Sequence, residues 1–408
     1  MNWEQPMCNA KPSDSIADVA TEDLLGRTEE HLDPEHVRGR YQGKVVMVTG
    51  AAGSIGSELC RQIAGLGPHA IVGFDKAEAA LLQLARELAG EFPELVFHSE
   101  IGNVTRLDDV NRTIEQHQPS IIFHAAAYKH LPMLEKQVIA AVENNIFGTW
   151  HVAQTAARYG VESLVLISTD KAVCPASVMG ASKRVAELAI RALNGTSDTK
   201  FVAVRLGNVL GSSGSVVPIF KSQIEKGGPI TVTHPEMKRY FMTAFEAGQL
   251  VLHAPSMVNG GEIFVLDMGE PLGILDLARN LILLSGLQPD QGIKIEFTGV
   301  RPGEKLVEAL HEQDEQLVPT SHCKINNLLY SSGADATQFT IFLDELKEAV
   351  NELDVLRIVL LLKQMVPKYI PSSQVLELAM SFQKNRCIAN NAQDSSTQSI
   401  ELMLAASE

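Results

Sequence analysis

The chain holds 408 residues, 45% of them hydrophobic, enough for one large core or two modest ones. Its 34 basic and 49 acidic side chains leave a net charge of −15, which speaks against nucleic acid or an anionic membrane as a partner and gives its few cations local importance. Five scattered cysteines without a Cys-x-x-Cys, no apolar leader and no unbroken apolar run of about 18 residues point to a chain with no disulfide framework, no zinc site and no membrane span, in the cytoplasm.

Residues 1–40 are polar, acidic and without a clear period, and read as an arm or linker. From Lys44 short β-branched runs follow one another: Lys44–Val48, Ala70–Phe74, Leu95–His98, Ser120–His124, Ser163–Ser168 and Phe201–Leu206. Helix-length segments separate most of them, such as Ser54–Leu66 with Ile55, Leu59, Ile63 and Leu66 at helical spacing. Strand and helix in alternation imply an α/β fold, a Rossmann-like doubly wound parallel sheet over 41–210. After Gly211 glycine, serine and proline become frequent, and 211–371 reads as a smaller C-terminal lobe that binds substrate, with a strand near 262–267 returning to the main sheet. Ile293–Phe297 reads as a strand and 338–365 as helical, while 372–408 is expected to be a disordered polar tail.

The first strand runs into Thr49-Gly50-Ala51-Ala52-Gly53-Ser54-Ile55-Gly56 and then a helix. Three glycines allow a tight turn and close approach of backbone to a pyrophosphate, and the helix N-terminus at Ser54 and Ile55 offers N–H donors and positive potential. The strand–turn–helix context is what makes the triplet specific. Asp75 ends the next strand, 19 residues after Gly56, where a carboxylate binds both ribose hydroxyls of NAD and repels a 2′-phosphate. Lys76 beside it softens that repulsion and leaves NADP open. Asn103 follows the third strand as an adenine contact or a surface turn, and Ala125 and Ala126 form a ledge of small residues after the fourth.

Ser168-Thr169-Asp170-Lys171, seven residues, then Met179-Gly180-Ala181-Ser182-Lys183 has the layout of a short-chain dehydrogenase site with methionine where the catalytic tyrosine belongs. A thioether moves no proton, so Asp170 and Lys171 are the candidates for that work.

The stretches TGAAGSIGSELCRQI, HAAAYKHLPMLE, STDKAVCPASVMGASKR, RLGNVLGSSGSVVPIF, HPEMKRYFMT and TGVRPGEKL resemble the extended short-chain dehydrogenase/reductases, and more closely the long-form, methionine-type UDP-N-acetylglucosamine 4,6-dehydratases of surface-polysaccharide synthesis. The likeness covers roughly 20–330, and Glu22–Arg27 resembles the linker that follows the membrane helices of the long form, helices this chain does not carry. The resemblance implies hydride transfer from sugar carbon 4 to NAD, loss of water across carbons 5 and 6, and return of hydride to carbon 6, with retention at carbon 5 favoured. It makes Lys171 the base and Asp170 the acid, places Lys183 on the nicotinamide ribose and Thr169 on the carbon 4 hydroxyl, and leaves Met179 as a shape-filler. By motif, Lys129, Asn208 and Arg301 hold the UDP, with Val216 and Pro218 in the same substrate stretch, Arg239 as a helper, and Glu304 on a ribose hydroxyl or paired with Lys305. Two departures, Leu206 for phenylalanine and Asn103 for aspartate, bear on packing and on the adenine contact. Extended members pair through two helices, so a homo-oligomer is expected, with the helix of Met179 and Lys183 as a candidate interface. The competing readings are a UDP-sugar 4-epimerase, which needs no Asp-Lys pair, and a non-catalytic NAD or nucleotide-sugar sensor.

Overall fold

A computed structural model describes residues 24–25, 35–329 and 335–382. Six strands, β1 (Val45–Thr49), β2 (Ala70–Asp75), β3 (Phe97–Ile101), β4 (Ile121–His124), β5 (Ser163–Thr169) and β6 (Lys200–Leu206), lie parallel in the order 3-2-1-4-5-6. The strand Glu262–Leu266 continues the sheet parallel to β6, and an antiparallel pair, Ile325–Leu329 and Gln316–Pro319, closes that edge. The fold is Rossmann-like α/β.

Alternation along each strand divides the core between two faces. Val46 and Val48 pack with Leu59 and Ile63 of the helix Ser54–Ala64 and with Leu250 and Val251 of the helix Ala244–Met257. Met47, between them, packs on the other face with Val152 of the helix Gly148–Arg158 and with Ala186 and Ile190 of the helix Val178–Leu193. Side chains buried on both faces are why these strands read as unbroken β-branched runs. Strand order reverses at β1, so a crevice opens over its C-terminal end.

A separate apolar cluster joins the helices Val216–Glu225 and Ile274–Leu284 to the short parallel pair Ile230–Val232 and Ile295–Phe297, and buries Leu24 and Leu25 with them. Another gathers the helices Ala336–Asn351 and Val355–Met365 around the Val178–Leu193 helix.

Several expectations need correction. The arm expected over 1–40 is partly built in: Glu35–Tyr41 is a helix whose Val37 and Tyr41 enter the main core, and Tyr41 donates from its hydroxyl to the Leu252 carbonyl at 2.6 Å. The helical stretch at 338–365 is two helices, because Leu353 takes a positive φ of 55° and Asp354 caps the second at the Arg357 N–H. The tail expected from 372 begins instead with a helix over 373–382 that buries Val375 and Ala379, and the remainder, like most of Glu22–Arg27, lies outside the described residues. The third strand is Phe97–Ile101 rather than Leu95–His98. In the helix expected to pair, thirteen of the sixteen residues of Val178–Leu193 are buried within the chain, Met179, Ala181, Val185 and Ala189 against the C-terminal helices and Ala186 and Ile190 against the sheet. Among the described residues no helix is long and apolar enough to cross a membrane.

Candidate active site

The turn after β1 is shaped by what surrounds it. Gly50 has a φ of +68°, and a Cβ there would stand 2.7 Å from the Ala126 backbone, so turn and ledge touch. A Cβ on Gly56 would fall 2.0 Å from the Gly50 carbonyl oxygen. Gly53 caps the Ser54–Ala64 helix without a side-chain bond, so its first N–H groups face the crevice with no side-chain partner. Asp75 accepts from the Ala52 N–H at 3.0 Å and the Ala77 N–H at 2.9 Å, which aims its carboxylate at the rim of the turn. A glycine cradle, a bare helix N-terminus and a carboxylate one strand away fit a dinucleotide, with the pyrophosphate over Gly53–Gly56 and a ribose at Asp75. Ile55 packs its side chain towards the core, so its backbone is the part on offer. Asn103 closes its own turn, its side-chain oxygen accepting from the Thr105 N–H at 3.1 Å.

At the end of β5 the chain turns through a single 3-10 turn, Asp170–Ala172. Asp170 is fully buried, and its Oδ1 accepts from the Thr169 hydroxyl and from Lys171 Nζ, each at 2.9 Å. Its Oδ2 is buried with no hydrogen-bond partner among the described residues. Lys171 Nζ also donates to Asn208 Oδ1 at 2.8 Å. A buried carboxylate with one oxygen unpartnered among the described residues is costly, which makes the corner a candidate site.

Beside it, Lys183 donates from Nζ to the Ile167 carbonyl at 2.7 Å, and burial, partly opposed by Glu187, lowers its ammonium from 10.5 to about 8. Met179 is 3% exposed and belongs to the apolar cluster of the C-terminal helices; it packs and does not titrate. Ser177 caps this helix at the Gly180 N–H, and Glu135 accepts the Val178 N–H at 2.7 Å. Burial raises the Glu135 carboxyl, while the Ser372 hydroxyl and the Val178 N–H pull it back.

One segment connects the parts. Asn208 reaches Lys171, Ser212 accepts from Lys129 Nζ at 3.2 Å, and the Ser213 N–H donates to Ser54 Oγ at 3.2 Å. Burial lowers the Lys129 ammonium. Val216 and Pro218 stand half-buried in the first turn of the helix that follows. Arg301 is exposed at the head of its loop. Arg239 is not free to hold a ligand: its terminal nitrogens donate to the carbonyls of Lys238, Leu306 and Lys305 at 2.7 to 3.0 Å. Glu304 lies 3.5 Å from Arg239 and accepts the Arg301 N–H, whereas Lys305 turns to the Val173 carbonyl and to Glu308. Arg239 therefore ties down the loop that carries Arg301.

Asn145 escaped the sequence reading. It sits fully buried in a π-helical segment, Val142–Phe147, where its side chain bonds both backbone groups of Tyr128 and donates to Ser182 Oγ at 3.0 Å. The signal was available as an Asn144-Asn145 pair, after Glu143, between the apolar runs Val138–Val142 and Ile146–Phe147. No metal-binding group of side chains exists among the described residues.

The comparisons agree with this geometry. Residues 46–329 match the family described as polysaccharide biosynthesis protein. The chain is 51% identical over 326 residues to a probable polysaccharide biosynthesis protein EpsC of Bacillus subtilis (79% of this chain, 54% of that one) and 47% identical over 316 to the capsular polysaccharide biosynthesis protein CapD of Staphylococcus aureus (77% and 53%). It thus spans about half the length of these relatives. A UDP-glucose 4-epimerase of Rickettsia rickettsii is 33% identical over 67% of this chain and 80% of its own. Among solved structures, Pen from Bacillus thuringiensis superposes with a TM-score of 0.65 at 31% identity over 72% of this chain and 90% of that one. The dTDP-glucose 4,6-dehydratase DesIV of Streptomyces venezuelae, solved with NAD and TYD, shares the fold at a TM-score of 0.58 and 22% identity, over 65% and 88% of the two chains. With the Rossmann sheet, the glycine cradle and the Thr169–Lys183 layout in place, the chain belongs to the polysaccharide biosynthesis protein family, on the extended short-chain dehydrogenase/reductase fold.

Proposed function

We propose that the protein is an NAD-dependent 4,6-dehydratase of UDP-N-acetylglucosamine or a close UDP-N-acetylhexosamine, acting with retention at carbon 5 in the synthesis of a surface polysaccharide. The observation that carries the reading is the corner itself: a fully buried Asp170 with one oxygen unpartnered and the other bonded to Lys171. The dehydratase DesIV was solved with NAD, and the cradle here fits the same class of cofactor.

NAD, when bound, takes a hydride from carbon 4 and returns it to carbon 6. Gly50, Gly53, Ser54, Ile55 and Gly56 would hold its pyrophosphate, Asp75 its adenosine ribose, the Ala125–Ala126 ledge its flank, and Lys183 the nicotinamide ribose. The rest falls to the corner. Asp170 Oδ1 lies 2.9 Å from both the Thr169 hydroxyl and Lys171 Nζ. As the hydride leaves, the carbon 4 hydroxyl would pass its proton to Thr169 and Thr169 its own to Asp170, leaving a carboxylic acid beside a Lys171 that works as the neutral amine, an acid and a base in one contact. Lys171 Nζ then removes the carbon 5 proton, now acidic beside the carbon 4 ketone. Asp170 donates its proton to the carbon 6 hydroxyl, which leaves as water. The Lys171 ammonium then returns a proton to carbon 5 as carbon 6 is reduced, which restores the neutral amine. Thr169 holds the carbon 4 hydroxyl, and Lys129, Asn208 and Arg301 face the UDP.

The likeness to a UDP-glucose 4-epimerase supports a second reading, but an epimerase needs no base for carbon 5, and Met179 supplies no phenol. Incubation with UDP-N-acetylglucosamine in deuterated water, followed by NMR, separates the two. A 4-keto-6-deoxy product with deuterium at carbon 5 is expected; a galacto product refutes dehydration. Lys171→Ala should abolish product and keep the cofactor, and an active variant would remove Lys171 from its role.

A further inference from the structure

Next to the corner lies a buried charge cluster that the steps above leave unused. Glu187 and Arg205 are both fully buried and meet fork to fork, Nε to Oε1 and NH2 to Oε2, each at 2.9 Å. Arg184 adds a contact to Glu187 at 2.9 Å, and Glu315 is a second counter-ion to Arg205 at 3.4 Å. Replacing such a pair by packed hydrocarbon is commonly neutral or stabilising, so stability alone does not account for it.

Its position does. The Ser168 hydroxyl donates to Glu187 at 2.6 Å, and Ser168 immediately precedes Thr169, Asp170 and Lys171. Ile167, one residue earlier, accepts from Lys183. The last turn-forming end of β5 is therefore gripped by two side chains of one helix, and Glu187 stands one helical turn beyond Lys183. The groups bearing on Lys183 are Glu187 from its own helix, the neutral His124 from β4, and only a carbonyl from β5. Glu187 is the anion among them. Burial alone would raise its carboxyl, but Arg205, Arg184 and Ser168 bring it down to about 2, so it stays ionised.

We propose that the Glu187–Arg205 pair is a positioning device for the reaction: it anchors the end of β5 that carries the Thr169–Lys171 corner, and it sets an anion one helical turn from Lys183. The place of Lys183 on the nicotinamide ribose rests on the dehydratase reading; the anchoring rests on the geometry.

Glu187→Gln keeps the shape and the bond to Ser168 but removes the charge. A lost neighbouring anion should lower the Lys183 ammonium by about one pH unit, which cuts its protonated fraction at pH 8 about fivefold. NAD affinity by titration calorimetry, and turnover, should fall about fivefold at pH 8 and less than about twofold at pH 6.5. The double variant Glu187→Leu with Arg205→Met removes the pair as hydrocarbon. It should melt near the wild type, show the same alkaline loss of NAD affinity, and turn over slowly at every pH because Ser168 is unanchored; it decides the matter if Glu187→Gln fails to fold. An NAD-affinity profile of Glu187→Gln that superimposes on the wild type, or a double variant with wild-type turnover, overturns the proposal. Wild-type protein that binds NAD without forming the 4-keto-6-deoxy product would refute the dehydratase reading, and the NAD profiles would still decide the role of Glu187.

Discussion

His124 ends β4 directly beneath the cofactor ledge, and its behaviour in acid can be worked out from its bonds. Its Nδ1 lies 2.7 Å from the Thr49 hydroxyl and its Nε2 3.0 Å from the Thr149 hydroxyl. Thr149 commits its own proton to the Asn145 carbonyl at 2.7 Å, so Nε2 must carry the ring proton and Nδ1 must accept from Thr49. The neutral ring is thus satisfied on both sides. Burial, with the nearby Lys183 ammonium as second cause, lowers the imidazole from 6.5 to about 3. Between those values the unfolded chain binds a proton that the folded chain refuses, so stability falls as the pH falls. The loss is negligible by about pH 7.5 and only about 0.4 kcal/mol at pH 6.5; it reaches about 2 kcal/mol at pH 5 and about 4 kcal/mol at pH 3. His124→Gln keeps a polar group between the two threonines and cannot titrate. Urea denaturation at pH 7.5 and pH 5 should show the wild type losing about 2 kcal/mol more than the variant over that interval. Equal losses in the two proteins, or an imidazole that titrates near 6.5 by NMR in the folded state, would refute the reasoning.

Three further outcomes are expected. Gly50→Ala puts a Cβ 2.7 Å from the Ala126 backbone at a φ of +68°, and should cost about 2 kcal/mol or more and empty the cofactor site; dinucleotide absorbance of the purified variant at the wild-type level would contradict this. Asp170→Asn should keep the fold and the cofactor while turnover drops roughly 10²- to 10⁴-fold; product formation within about tenfold of the wild type would remove Asp170 as the acid. Met179→Tyr places a phenol in an apolar cluster at a site 3% exposed, and should destabilise by about 1–3 kcal/mol without raising turnover. A faster variant, measured by product NMR, would show that the Thr169–Lys171 corner lacks a proton carrier.

Much of the architecture is legible along the chain because it is local. A β-branched run, a glycine turn and an amphipathic helix sit within 20 residues of one another from Val45 to Ala64, and each reports its own conformation. The methionine at 179 is legible in the same way, since a thioether moves no proton, whereas the Asp170-Lys171 dipeptide takes its meaning from the motifs around it and the resemblance they carry. What could not be read is how polar groups are spent. Arg239 looks like a phosphate ligand until its donors are found on three carbonyls, two of them more than 60 residues away. Glu135 gains its meaning from Ser372, 237 residues on, and Glu187 from Arg205 on a neighbouring strand. The C-terminal helices read as part of the smaller substrate lobe, yet they cover the helix that carries Met179 and Lys183.

The difference has one cause. Backbone propensity and side-chain chemistry are properties of a residue and its near neighbours, so the fold class, the dinucleotide turn and the identity of the candidate acid and base are written in order along the chain. Desolvation and charge pairing depend on which distant segments meet, and only the packed molecule decides them. A buried Asp170 oxygen without a partner, a buried Lys183 held by a strand carbonyl, and an arginine consumed in tethering a loop are all outcomes of that packing.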